Sequence, residues 1–434
     1  MQEAETIETK SEVGPTQKKA LFSSFVGWMF DGYETSTLIL VGGAAVTSMM
    51  PGISAADTRI MVGTSLGSTL LGWAVGGMIG SIVADYIGRK KMLMIAIAGY
   101  CAFTALTAFS QSVTMLIALR FLTGIFLGSE WSTGTALVAE TWPKSARAKA
   151  LGVMQSGFGF GFFLAAGLWL FIQPMGGSDG WRWMFAIGVL PAIALIYIRR
   201  ALPESELWLE AMKEKQAKEA VTPAANRESL TLVEVLKNAE ARKRVFATLV
   251  LAAVTVSVFY GASALIGPFV AGLAVKEGLN GPTWAGISAL VYNAGAIIGY
   301  IAAGFIADAI GRKRYMAFMF SASIASGLLI YLMPPGLSVA LGCIFVLGCF
   351  TLGVFSWMPI YLPELFATRV RSTASGFVFN LARLVAFPLP ILTAFLFTNL
   401  GGFQPTILSL TLLYVISLVT LLFLPETKDK PLPT

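Results

Sequence analysis

The sequence predicts an all-α membrane protein of twelve transmembrane helices arranged as two homologous six-helix bundles. Three observations predict it. Of 434 residues, 56% are hydrophobic and only 13% charged, where soluble chains carry about 25% charged residues. The apolar residues fall into twelve stretches, most long enough to cross about 30 Å of hydrocarbon at 1.5 Å per residue. The charged loop motifs of the first half recur in the second.

The spans are read at 21–49, 59–84, 92–109, 113–139, 148–172 and 181–198, then 245–274, 282–307, 315–332, 337–362, 373–399 and 403–424. They divide the chain into an N-terminal segment (1–20), a first bundle (21–201), a central loop (202–243), a second bundle (244–424) and a tail (425–434). The N-terminal segment is polar through Lys19, and no short apolar region with a cleavage site follows it, so no cleavable signal is expected. In the central loop a charged run, 210–219, precedes Thr222-Pro223. Thr231-Leu-Val-Glu234 then reads as a capping box opening a short amphipathic helix with Leu232, Val235 and Leu236.

Charge placement sets the orientation. Twelve spans put both ends on one side. That side holds all of the 31 Lys and Arg except Arg59, Arg120, Arg182, Lys276 and Arg383. The positive-inside rule makes it cytoplasmic, in a bacterial inner membrane. The net charge of +7 is thereby dispersed over separate loops, and nucleic acid is not expected as a partner. Cys101, Cys343 and Cys349 lie within apolar spans without metal spacing and read as core residues. With no histidine, any proton chemistry falls to carboxylates. No metal or organic cofactor is expected, and no nucleophile–base pair marks an enzyme.

The repeat is specific. Ser81-Ile-Val-Ala-Asp85-Tyr-Ile-Gly88-Arg89-Lys90-Lys91 matches Gly304-Phe-Ile-Ala-Asp308-Ala-Ile-Gly311-Arg312-Lys313-Arg314. Glu140, Arg147 and Gly152 match Glu364, Arg371 and Gly376. Independent motifs share an offset of about 223 residues, the mark of a duplication. Six-helix halves of this kind place a solute site between them, near the bilayer midplane.

On these duplicated Asp-x-x-Gly-Arg loops the chain resembles the major facilitator superfamily, over essentially its whole length. More narrowly it resembles the metabolite, sialate and aromatic-acid proton symporters within it. Four stretches carry this: Phe30-Asp31-Gly32-Tyr33-Glu34; Arg120-Phe-Leu-Thr-Gly124 with Gly128-Ser-Glu130-Trp131; Ala139-Glu-Thr-Trp-Pro143-Lys-Ser-Ala-Arg147; and Leu202-Pro-Glu-Ser205. Pro425-Glu-Thr427 is a generic ending, and Ser81 stands where the family usually has Gly. The resemblance implies a cytoplasmic latch of Asp85, Arg89, Glu140, Arg147, Asp308, Arg312, Glu364 and Arg371. Each Asp can cap a neighbouring helix and pair with Arg, and Glu140–Arg147 and Glu364–Arg371 look like matching networks.

Five ionisable residues lie deep within spans: Asp31, Glu34, Glu130, Arg120 and Arg383. Each costs about 2.5–3.5 kcal/mol at a helix centre, so such residues mark function or mutual pairing. Asp31 and Glu34 sit one turn apart on nearly one face. Asp31, Glu34 and Glu130 are the candidate proton carriers, Asp31 first. Arg120 and Glu130 are separated by roughly 15 Å along one helix and cannot pair along it.

The resemblance places spans 1, 4, 7 and 10, with parts of 5, 8 and 11, around a central cavity, so that Arg120 and Arg383 face a solute from opposite halves. Guanidinium groups suit a carboxylate. Tyr33, Trp131, Gln155, Asn293, Trp357 and Asn380 are further candidates for the solute site, with Tyr260 and Tyr292 behind them. Trp181 and Trp183 read as interfacial anchors. Gly63 with Gly67, Gly124 with Gly128, and Gly157, Gly159 and Gly161 allow close helix approach.

The reading that follows is a monomeric, proton-coupled symporter of a small organic anion, an aromatic or other carboxylic acid, working by alternating access. Three buried acids against two bases also leave room for a cationic, zwitterionic or sugar-like solute. A non-transporting sensor of the same fold is the remaining class.

Overall fold

The computed structural model describes residues 13–193, 200, 203–221, 231–385, 393, 396–397 and 399–433. Leu202, Thr222-Pro223 and residues 386–392 of the eleventh span lie outside the described residues. Every regular element among the described residues is a helix. The first half contains α1 (Pro15–Met49), α2 (Ala55–Ile87), α3 (Arg89–Ala108), α4 (Val113–Thr141), α5 (Arg147–Gly176) and α6 (Gly180–Ile187). Between the halves lie α7 (Glu206–Val221) and α8 (Thr231–Lys237). The second half contains α9 (Ala239–Lys276), α10 (Gly281–Ile310), α11 (Arg312–Leu332), α12 (Leu337–Thr351), α13 (Trp357–Leu365), α14 (Arg371–Val385), α15 (Phe403–Leu412) and α16 (Tyr414–Leu421).

Two long helices begin earlier than apolarity predicts, because capping and not burial sets their start. Pro15 fits the first helical turn of α1, and Asn238 Oδ1 accepts the Glu240 and Ala241 N–H groups at the start of α9. The tenth span is broken. The 3-10 turn Gly353–Ser356 separates α12 from α13, where Pro359 withholds the N–H that would bond the Phe355 carbonyl. Nine helices among the described residues are long and apolar enough to cross a membrane. The 35-residue α1 is not one of them, since Asp31, Glu34 and their polar neighbours dilute its apolar run.

Backbone contact between α2 and α4 uses Gly124 and Gly128, where an added Cβ would strike the Thr69 and Trp73 carbonyls. Their counterparts on α2 are Gly72 and Gly76, and not the expected Gly63 and Gly67, which face open space. Between the halves, α5 packs on α10 and α2 on α14. Gly304 touches the backbone at Ala148, and Gly376 makes room for the Ser81 side chain. That accommodates the serine that departs from the usual loop motif.

Gly88 and Gly311, each one residue before the loop arginine, have φ of 103° and 95°. Only glycine adopts this freely, and it lets α2 turn directly into α3 and α10 into α11. The α8 segment bridges the halves. Thr231 N–H donates to the Tyr86 hydroxyl, the Thr231 and Thr373 hydroxyls lie 2.8 Å apart, and Glu234 pairs with Arg369. The expected Thr231–Glu234 capping box is therefore corrected, because both side chains bond other parts of the chain. Trp181 is corrected too: its indole N–H donates to Ser48 and it is fully buried, while Trp183 remains exposed.

Candidate functional site: a charged cavity between two halves

At the basic end, Arg89 makes ion pairs with Asp85 at 2.8 Å and Glu140 at 3.1 Å. Glu140 also takes Arg371 of the other half at 2.9 Å. Two further bonds cross: Thr373 N–H donates to Asp85 Oδ2, and Arg89 donates to the Thr368 carbonyl. In the second half, Arg312 pairs with Asp308 at 3.2 Å and Glu364 at 2.9 Å. Asp308 accepts the Lys149 backbone N–H at the start of α5. The expected partners are thus exchanged. Glu140 binds Arg89 and Arg371, and Glu364 binds Arg312. Arg147 Nε donates to the Ala139 carbonyl, and Arg371 Nε to Pro363. Each arginine sits eight residues after that carbonyl, at the first residue of the next helix, which points the guanidinium back along the preceding helix.

Two residues outside the expected latch complete the loops. Glu204 accepts the Arg89 and Lys90 N–H groups, and Glu426 those of Arg312 and Lys313. Both carboxylates stand at helix N-termini, where orphan N–H groups favour negative charge. Burial pushes Glu426 up, but the Lys428, Lys313, Arg312 and Thr427 N–H bonds outweigh it and hold the carboxyl below the usual range. The signal was present in the sequence, since Pro203-Glu-Ser205 and Pro425-Glu-Thr427 repeat at the offset of the other motifs.

Deeper in the bundle, the five charges within spans, four buried and Arg383 half-buried, divide into three groups. Glu34 pairs with Arg120 at 2.8 Å. Arg120 also donates to Thr104, Thr107 and Thr123 and lies 4.7 Å over the Phe185 ring. Asp31 faces Glu130 of α4, carboxyl to carboxyl. The room for Glu130 comes from Gly27, where a Cβ would collide with its carboxylate. Arg383 lies 3.8 Å over Phe379 and 4.8 Å over Trp73, and bonds Tyr260 and the Phe379 carbonyl. Among the described residues no carboxylate comes within ion-pair distance of it. The acid nearest Asp31 is therefore Glu130 across the helices rather than Glu34 along α1. Arg120 and Glu34, read as solute contact and proton carrier, form one pair.

A cavity of about 480 Å³ lies between the halves, in the middle and the part remote from the basic loops. Arg383, Arg120, Glu34, Gln155 and Asn293 line it with Trp28, Trp73, Phe158, Phe259, Tyr260, Tyr292, Phe355 and Phe379. Its floor is closed by a stack across the halves: Trp131 on Phe379 at 3.7 Å and 16°. The Trp131 indole donates to Gln155.

Four solute candidates do not line the cavity in this conformation. Tyr33 donates to the Met184 carbonyl, Trp357 to Thr255 and Asn380 to Gly376, and Trp131 sits beneath Phe379. Each has a polar partner or stacking neighbour within the packing. Tyr260 and Tyr292, the weaker candidates, do line it, while Trp28, Trp73, Phe158, Phe259, Phe355 and Phe379 were missed. The signal was spacing: Phe379 one turn before Arg383, and Trp28 one turn before Asp31.

The Major Facilitator Superfamily model matches residues 35–389 and 252–434. The sialic acid transporter NanX of Escherichia coli (strain K12) is 27% identical over 394 residues, covering 89% of this chain and 88% of that one. The niacin transporter NiaP of Acinetobacter baylyi is 26% identical over 427 residues, covering 94% and 93%. A solved structure of the proton:xylose symporter XylE bound to 6-bromo-6-deoxy-D-glucose superposes with a TM-score of 0.77 at 20% identity, covering 96% of this chain and 98% of that one.

Proposed function

We propose, from the premise that the chain belongs to the Major Facilitator Superfamily of membrane transporters, that it is a proton-coupled symporter of a small organic anion. The family is one of transporters and not of enzymes, and the solute is a small molecule. The class we assign is an aromatic or other carboxylic acid, carried by alternating access across a bacterial inner membrane, with both termini cytoplasmic and the protein acting as a monomer.

One observation carries the reading. Arg383 is a guanidinium at the cavity floor, set among Phe379, Trp73 and Tyr260 and without a carboxylate partner among the described residues. A half-buried cation lining a cavity inside the membrane calls for a counter-charge, and a guanidinium offers a carboxylate two parallel hydrogen bonds. The aromatic walls supply flat apolar surface for the rest of the solute. Niacin and sialic acid, the solutes in two relatives' names, are both carboxylic acids.

On this reading the conformation described is closed at the cytoplasmic side by the Arg89–Glu140–Arg371 clasp and the Trp131–Phe379 stack. The solute docks on Arg383, the proton neutralises a buried carboxylate, and the halves rock about the site. The test is uptake into proteoliposomes under an imposed proton gradient, with labelled benzoate and niacin beside xylose and choline. Gradient-driven uptake of an acid, lost in Arg383→Ala, is expected. Choline uptake that survives Arg383→Ala would refute the anion model.

A further inference from the structure

We propose that the Asp31–Glu130 carboxyl pair, and not the Glu34–Arg120 ion pair, takes up and releases the proton that travels with the solute. The inference rests on the organic-anion reading and assigns its proton to a site.

The geometry separates two acidic centres. Glu34 is neutralised by Arg120 at 2.8 Å, and that guanidinium is held by three threonine hydroxyls. Asp31 and Glu130 have no such partner. They are 0% and 2% exposed, and among the described residues no N–H or O–H of another group reaches any of their four oxygens. They face each other, and two carboxyl groups in such contact form a hydrogen bond only with a proton between them. Two adjacent carboxylates cannot both ionise without a cation. Among the described residues the charged and titratable groups facing the pair are Glu34, the Tyr100 hydroxyl and Cys101 thiol of α3 and, through space, Arg383 of α14.

Charge balance then sets the role. Glu34 and Arg120 cancel. With one shared proton, the Asp31–Glu130 pair carries a single negative charge, which balances Arg383. A solute carboxylate on Arg383 adds one negative charge to this set and removes the positive field that Asp31 faces. A second proton on the pair restores neutrality. Without it the buried excess charge costs several kcal/mol. One monocarboxylate and one proton therefore load together, and the proton leaves the pair when the solute leaves Arg383 on the other side.

The test has two arms, both on the purified full-length protein. Infrared difference spectroscopy without solute reads the protonated carboxyl. A protonated-carboxyl band at neutral pH is expected, lost in Glu130→Gln and in Asp31→Asn and retained in Glu34→Gln/Arg120→Gln, which removes the neighbouring ion pair as a neutral unit. Gly27→Ala keeps every titrating group but drives a Cβ into Glu130. It is expected to lose the band as well, which covers the case where removing an acid disturbs folding. The second arm titrates benzoate in weak buffer with a pH indicator. About one proton taken up per benzoate bound is expected in the native protein, in Glu34→Gln/Arg120→Gln, which removes that ion pair as a neutral unit, and in Glu130→Gln, where Asp31 alone still balances Arg383; none is expected in the Asp31→Asn/Glu130→Gln double variant. A band that survives both Asp31→Asn and Glu130→Gln, or that vanishes with Glu34→Gln/Arg120→Gln, overturns the assignment whether or not benzoate binds. Proton uptake retained in the Asp31→Asn/Glu130→Gln double variant overturns it too. Failure of benzoate and niacin to bind at all, with the band behaving as expected, counts against the choice of solute and leaves the proton site supported.

Discussion

In the first half, Arg89 and Glu140 reach across to Thr368 and Arg371 of the second. In the second half, Arg312 and Glu364 stay within their own half and take Thr427 of the tail. The loops match residue for residue over Asp-x-x-Gly-Arg, yet one network fastens the halves together while the other mainly fastens the tail to its own bundle. The difference arises from Arg371. It holds Glu140 at 2.9 Å and at the same time donates to the Pro433 carbonyl. The duplication thus supplied two equal sets of charges, and packing made one a clasp and the other a brace. The deeper charges are unequal as well: four of the five lie in the first half, and only Arg383 in the second.

This contrast can be broken most directly at Arg383. Arg383→Ala should lower organic-acid uptake by about 100-fold in proteoliposomes, since a charge-assisted bidentate bond contributes about 3 kcal/mol. Wild-type uptake in this variant would place solute recognition in the first half instead. Next in size is the clasp. Glu140→Gln leaves Arg89 and Arg371 facing each other without their shared anion, at a cost of about 3–5 kcal/mol. It should shift the protein toward opening at the basic end, read as spin-label distances across the two loops. Glu364→Gln should lower the thermal midpoint and leave those distances largely unchanged. Equal distance shifts in both variants would erase the proposed asymmetry.

A smaller effect is expected at the floor. Trp131→Ala removes the stack on Phe379, worth about 0.5–1.5 kcal/mol beyond its buried area. It should raise solvent access to a cysteine placed near Phe379, measured by alkylation rate, by roughly tenfold at most on that energy. The smallest effect sharpens the brace. The Glu426 carboxyl titrates below its unfolded value, because burial, which pushes it up, is outweighed by four backbone N–H bonds. Its contribution to stability is therefore present above the unfolded value and lost as pH falls through the folded one. Glu426→Gln should lower the thermal midpoint near neutral pH, with the gap to wild type closing toward about pH 4 and below. A gap constant with pH would show that the cap acts through packing alone.

The sequence by itself determined the membrane class, the two-half duplication and the identity of the buried charges. These follow from local quantities: apolar run length, repeat offset and the rarity of ionisable residues in hydrocarbon. Asp85, Gly88 and Arg89 were legible as a unit because the turn between α2 and α3 confines them to a few residues, and Gly88 needs its positive φ. Only the tertiary structure decided which charge meets which. Asp31 lies one turn from Glu34, but their side chains turn to different helices, because Gly27 opens space for Glu130 and Gly188 for Glu34. Glu140 met Arg371 rather than Arg147 because the halves pack there. Tyr33, Trp131, Trp357 and Asn380 were drawn to the packing around the cavity, and the aromatic lining replaced them. Helix periodicity fixes spacing along one helix, whereas partners across helices depend on rotation and approach distance, which small residues on the facing helix set.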